Sequence, residues 1–73
     1  MLYGESISII MPAYNAEKTI TRAVESIQRQ TYSNWQLIIV NDGSNDATQE
    51  IIEKKCREDD RIEGYLIENS GPA

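Results

Sequence analysis

The sequence predicts an α/β fold of order β-α-β-α-β, with three parallel strands in spatial order 3-2-1 and both helices on one face. Two mostly apolar runs, residues 7–13 and 35–41, have the length and composition of strands covered on both sides. Each run passes through a polar loop into a segment of helical periodicity. Strands that alternate with helices need crossover connections, which are right-handed, and two such crossovers stepping the same way give that order and that placement.

The first strand, residues 7–13, is carried by Ile7, Ile9, Ile10 and Met11, and Pro12 ends its ladder because proline has no N–H to donate. From Ala16 to about Arg29, Ile20, Ala23, Val24 and Ile27 recur at helical spacing and mark one buried stripe, with Asn15 as the expected N-cap. Residues 31–34 form a connection to the second strand, residues 35–41, where Leu37, Ile38, Ile39 and Val40 are apolar on both sides. Asp46 followed by Gln49 fits a variant of the capping box, opening a helix to about Glu58 whose inward residues are Ile51, Ile52 and Cys56. The third strand runs from about Arg61 to Ile67.

Composition narrows the function. A chain of 73 residues with 12 acidic and 7 basic side chains carries a net charge of −5, which offers no electrostatic footprint for nucleic acid or an anionic membrane. It contains no histidine and one cysteine, which removes Ser-His-Asp and Cys-His nucleophiles, disulfides and the usual zinc sites. No apolar run approaches the roughly 20 residues of a membrane span, and residues 1–5 lack the basic flank and apolar core of a signal peptide, so the expected location is the cytoplasm. Neither G-x-G-x-x-G nor G-x-x-x-x-G-K-[ST] follows any strand, which disfavours a dinucleotide or P-loop site. What remains is Asp42-Gly43-Ser44, a carboxylate at the carboxyl end of a parallel strand, where open α/β sheets bind their ligands. Taken alone, the same residues also suit a plain polar turn.

Pro12-Ala13-Tyr14-Asn15-Ala16-Glu17, Gln30-Thr31-Tyr32 and the run from Val40 through Asn41-Asp42-Gly43-Ser44-Asn45-Asp46-Ala47 to Thr48 closely resemble the start of the family 2 glycosyltransferases. The tail Glu68-Asn69-Ser70-Gly71 resembles that family's loop after the third strand. The resemblance implies a partial GT-A, Rossmann-like domain, an inverting-type transfer of sugar from a nucleotide-diphosphate donor of the uridine kind, and a role in polysaccharide biosynthesis. It places Pro12, Ala13, Tyr14, Glu17, Asp42 and Ser44 at the nucleotide, with Tyr14 as the aromatic face and Asp42 accepting the base imide N–H. Stacking on an aromatic contributes about 1–3 kcal/mol per base, and a carboxylate is a strong acceptor for an N–H. Other roles stay open beside these. Glu17 also suits the first turn of a helix through the helix dipole, and a turn or cap would use the oxygens of Ser44 and Asp46. Asn41 stands where the family often has a second aspartate.

The resemblance also implies an Asp-x-Asp motif holding Mn or Mg and a carboxylate base for the acceptor, and nothing in the chain matches either. Asp59-Asp60 is expected at a helix end before the third strand and reads as surface charge. Residues 1–73 are therefore expected to be the N-terminal, nucleotide-recognition part of a truncated domain, with no catalytic or metal-binding residue and no transfer activity of their own. In the full-length enzyme the divalent metal would sit on ligands outside this chain, the acceptor would be an unidentified sugar or lipid, and the location would extend to the inner face of the membrane. A stand-alone nucleotide-binding or regulatory module is the alternative. The sheet face turned away from both helices should be bare, so self-association through it or through an open edge, or a marginally stable monomer, is expected.

Overall fold

A computed structural model describes residues 6–68. The chain runs β1 (Ile7–Ala13), α1 (Ile20–Gln28), β2 (Trp35–Asp42), α2 (Thr48–Glu58) and β3 (Ile62–Ile67). The strands form one parallel sheet of order β1-β2-β3, which is the expected 3-2-1 arrangement counted from the other edge. The tail at Asn69, Ser70 and Gly71 lies outside the described residues.

Side-chain alternation along β2 divides the sheet. Trp35, Leu37, Ile39 and Asn41 are buried, together with Ala13 from β1 and Ile62 from β3, against Ile20 and Val24 of α1 and Ile52 of α2. Ile27, Ile51 and Cys56 pack around this core. Both helices therefore cover one face. The opposite face carries Ile38 and Val40 on β2, flanked by Ile10 and Pro12 on one side and by Glu63 and Tyr65 on the other. Ile10 is 69% exposed and Tyr65 53% exposed, so among the described residues nothing packs over this side.

Both helix starts differ from the sequence reading. The expected cap, Asn15, has φ 48°, the left-handed region rather than the extended backbone of an N-cap, and α1 begins at Ile20 after a turn closed by the Thr19 and Ile20 amides on the Ala16 carbonyl. The Asn15 side chain is occupied elsewhere, accepting the Asn45 amide of the next loop on Oδ1. In α2 the N-cap position falls on Ala47 and the capping box does not form. Asp46 does accept the Thr48 amide at 2.9 Å, but Gln49 turns inward to accept the Asn41 side-chain amide at 2.8 Å. Asn41 is fully buried, and an unpartnered amide there would cost about 1–3 kcal/mol, which outweighs a reciprocal cap on an exposed helix end.

At the far end of the sheet Asp59 is more than surface charge. Its carboxylate accepts from Arg61 Nε and Nη2, at 3.0 and 2.8 Å, and from the Gln28 amide at 3.0 Å, while the guanidinium carbon lies 3.9 Å from the centre of the Trp35 ring. This cluster joins α1, β2 and the start of β3.

Candidate functional site

The carboxyl ends of β1 and β2 lie side by side, since Ala13 pairs with Asn41 and Pro12 with Val40. The two following loops are stitched together. The consecutive amides of Asn15, Ala16 and Glu17 donate to Ser44 Oγ (2.9 Å), Thr48 Oγ1 (2.8 Å) and Asp46 Oδ2 (3.2 Å). In return the amides of Asn45 and Ala47 donate to Asn15 Oδ1 (2.8 Å) and Glu17 Oε1 (3.1 Å). Each loop thus satisfies its backbone donors with the side chains of the other, which resolves the accounting that a loop near the surface must meet. Gly43, with φ 64°, makes the turn that lets Ser44 face back, and the Ser44 amide and hydroxyl both donate to Asn41 Oδ1.

Beside this seam lies a cleft of about 670 Å³, lined by Tyr14, Gly43, Ser44, Asn45, Leu66, Ile67 and Glu68. The lining has an exposed aromatic ring, exposed aliphatic side chains from the end of β3 and one carboxylate, but no cation. Such a surface suits a flat, uncharged heterocycle better than a diphosphate. A second concavity of about 530 Å³ runs along the outer edge of β3 against α2, past Ile52, Cys56 and Gly64. It is remote from the strand ends at which sheets of this type take ligands.

The six residues expected at the ligand divide into four groups. Tyr14 and Ser44 line the cleft. Asp42 is exposed at the end of β2, next in sequence to Gly43 of the cleft and paired with Ile67, and its alternation with buried Asn41 points it to the bare face; it is not itself among the lining residues. Pro12 shares that face, whereas Ala13 is 5% exposed with its methyl in the core, so only its backbone can meet a ligand. Glu17 is exposed and bonded across to Ala47. Asn41 faces away from Asp42 into the core and ties the strand end to the loop and to α2.

Electrostatics follow the same seam. Partial burial would raise the Asp46 carboxyl, but hydrogen bonds from the Thr48 hydroxyl and amide and from the Glu17 amide outweigh it and hold Asp46 below the ordinary 3.8. The Thr48 hydroxyl donates to Asp46 Oδ1. Among the described residues no group of three or more His, Cys, Asp or Glu side chains could hold a metal ion, and no helix is long and apolar enough to cross a membrane.

Sequence reasoning missed Asn15, Asn45 and Thr48 as the residues that join the loops. The signal available was the density of short polar side chains in both loops, which the local rules for caps and turns assign within each loop rather than between them.

A family model described as Glycosyl transferase family 2 matches residues 8–73. Glycosyltransferase GlyA of Streptococcus pneumoniae is 41% identical over 71 residues, covering 97% of this chain and 10% of the relative. Glycosyltransferase GlyG of the same species is 41% identical over 70 residues, covering 96% of this chain and 23% of the relative. The UDP-Glc:alpha-D-GlcNAc-diphosphoundecaprenol beta-1,3-glucosyltransferase WfgD of Escherichia coli is 51% identical over 43 residues, covering 59% of this chain and 17% of the relative. The chain thus spans between a tenth and a quarter of the length of these relatives.

Proposed function

We propose, for a chain that belongs to glycosyl transferase family 2, that residues 1–73 are the nucleotide-recognition part of an enzyme that transfers sugar from a uridine-type nucleotide donor. The observation that carries this reading is the cleft at the ends of adjacent parallel strands, with the Tyr14 ring in its lining and Asp42 directly before lining residue Gly43 on the strand that ends there. Tyr14 stacks on the base. Asp42 accepts the imide N–H, a donor that uracil has and cytosine lacks. Pro12 stiffens the loop that presents Tyr14, Ala13 contributes its backbone, and Ser44 lies in the cleft wall within reach of the nucleoside.

The diphosphate finds no cation in this cleft, so its charge must be met elsewhere, and we assign that task to Mn or Mg on ligands outside this chain. When bound, such a metal would stabilise the departing nucleoside diphosphate. Within residues 1–73 we assign no group to the role of base for the acceptor, and the chain alone should bind nucleotide weakly and transfer nothing. Acceptor recognition belongs to the rest of the enzyme. The name of WfgD supports a lipid-linked acceptor, which would bring the full-length protein to the cytoplasmic face of a membrane.

Calorimetric titration of the chain with uridine and cytidine diphosphates tests this. The expected order is uridine over cytidine, with the preference abolished in Asp42→Ala and both affinities reduced in Tyr14→Ala. Equal binding of the two nucleotides by the parental chain would remove Asp42 from the site.

A further inference from the structure

We propose that Glu17 is a positioning residue of the nucleotide cleft: by accepting the Ala47 amide it helps to set, with the other bonds between the loops, the spacing between the Tyr14 loop and the Gly43–Ser44 loop without touching the ligand. The proposal rests on the uridine reading above. Tyr14 and Ser44 form parts of one cleft but stand on different loops, so the fit to a base depends on the separation of those loops. At the strand ends that separation is fixed by the pairing of Ala13 with Asn41, and beyond them it depends on the stitches.

The last stitches form a reciprocal pair. Glu17 gives its amide to Asp46 Oδ2 and takes the Ala47 amide on Oε1, so one residue of the first loop is held to two neighbours in the second. The acceptor counts differ between the two carboxylates. Asp46 uses both oxygens, Oδ1 for the Thr48 amide and Oδ2 for the Glu17 amide. In the bond to Ala47, Glu17 uses one oxygen, and the amide of glutamine can supply that oxygen equally well. The geometry therefore separates a positioning role, which needs an acceptor, from a ligand-binding or electrostatic role, which needs the charge.

The test is uridine diphosphate affinity, read by NMR titration, for the parental chain, Glu17→Gln, Glu17→Ala and Asp46→Asn, with amide hydrogen exchange at Ala47 measured without ligand. Glu17→Ala should weaken binding about fivefold, the scale of one net hydrogen bond, and speed exchange at Ala47. Glu17→Gln should restore both to within about twofold of the parent. Asp46→Asn, which keeps an acceptor for Thr48 but leaves none for the Glu17 amide, should weaken binding as Glu17→Ala does, and it poses the same question should Glu17→Ala lower the folded population. Binding by the parent that is lost equally in Glu17→Gln and Glu17→Ala would overturn the positioning role in favour of charge. Unchanged affinity in Glu17→Ala and Asp46→Asn would also overturn it. Absence of any uridine diphosphate binding by the parent would instead overturn the nucleotide reading, and the positioning role with it.

Discussion

Gly64→Ala probes the contact that seats β3 on α2. Gly64 pairs with Ile39 and lies on the helix side of an edge strand, where an added Cβ would stand 2.6 Å from Ile52 Cγ2 and 3.4 Å from Cys56 Sγ. The backbone does not require glycine here, because Gly43 is the glycine with positive φ among the described residues. On chain entropy alone alanine would stabilise by about 0.5–1 kcal/mol. Sterics oppose this and should win. Ile52 is 1% exposed, and its branched side chain holds essentially one χ1 rotamer in a helix, so Cγ2 cannot swing aside and the helix must back away. Overpacking of this kind costs about 1–3 kcal/mol, leaving a net loss of about 0.5–2 kcal/mol. For a domain of this size that lowers Tm by roughly 2–16 °C. The second arm of the experiment is Ile52→Leu, which removes Cγ2 at constant volume for less than about 1.5 kcal/mol. Gly64→Ala in that background should be neutral or stabilising, giving a coupling of about 1–2 kcal/mol in a urea-denaturation cycle of the four proteins. If Gly64→Ala stabilises the parent as much as it stabilises Ile52→Leu, the close approach of β3 to α2 is refuted.

Three further outcomes follow from the same packing. The Arg61 guanidinium, against the opposing effect of burial and with help from the Gln28 amide, holds the Asp59 carboxyl well below the usual carboxylate range. Its contribution is complete above the unfolded carboxyl's pKa and is lost as pH falls through the lower folded value. Asp59→Asn should therefore cost about 1–2 kcal/mol at pH 7 and flatten the loss of stability below about pH 4, and parallel acid slopes in parent and variant would contradict this. Burial, then the Glu53 and Glu63 carboxylates, push the Cys56 thiol up, so iodoacetamide at pH 8 should label it at least about threefold more slowly than a free peptide thiol; equal rates would place it in open solvent. The bare face carries Ile10, Ile38, Val40, Tyr65 and Ile67, each able to contribute up to about 1.5–3 kcal/mol on burial against a domain stability of about 5 kcal/mol. Sedimentation and melting should depend on concentration, with Ile10→Lys weakening any association, whereas a monomer melting above about 60 °C at every concentration would show that the face needs no cover.

The strands were the most legible part of the chain. The apolar run from Ile7 to Met11 placed β1, although Pro12 does not end its ladder as expected, since Pro12 and Ala13 still pair with Val40 and Asn41 on this edge strand, and the run from Trp35 to Val40 placed β2 to within one residue, because apolar and β-branched composition are properties of the segment itself. The start of α1 was misplaced because Asn15 looks like a cap to any rule that sees only its neighbours, while the partner that claims its side chain is Asn45, thirty residues on. Gln49 failed as a capping-box member for the same reason, since buried Asn41 competes for it from another element. At the candidate site the resemblance located the two loops, and alternation predicts that Asp42 and Asn41 face opposite ways. It could not show that Ala13 turns its methyl into the core, or that Glu17 bonds to the second loop, because both depend on how β1 and β2 meet.

Chemical-shift mapping of the isotopically labelled chain during titration with uridine diphosphate tests the central claim most directly. The account predicts shifts confined to residues 12–17, 41–48 and the end of β3, around the cleft beside Tyr14 and Gly43, with the far groove along Cys56 and Gly64 unmoved. Shifts centred on that far groove, or none at millimolar nucleotide, would contradict it.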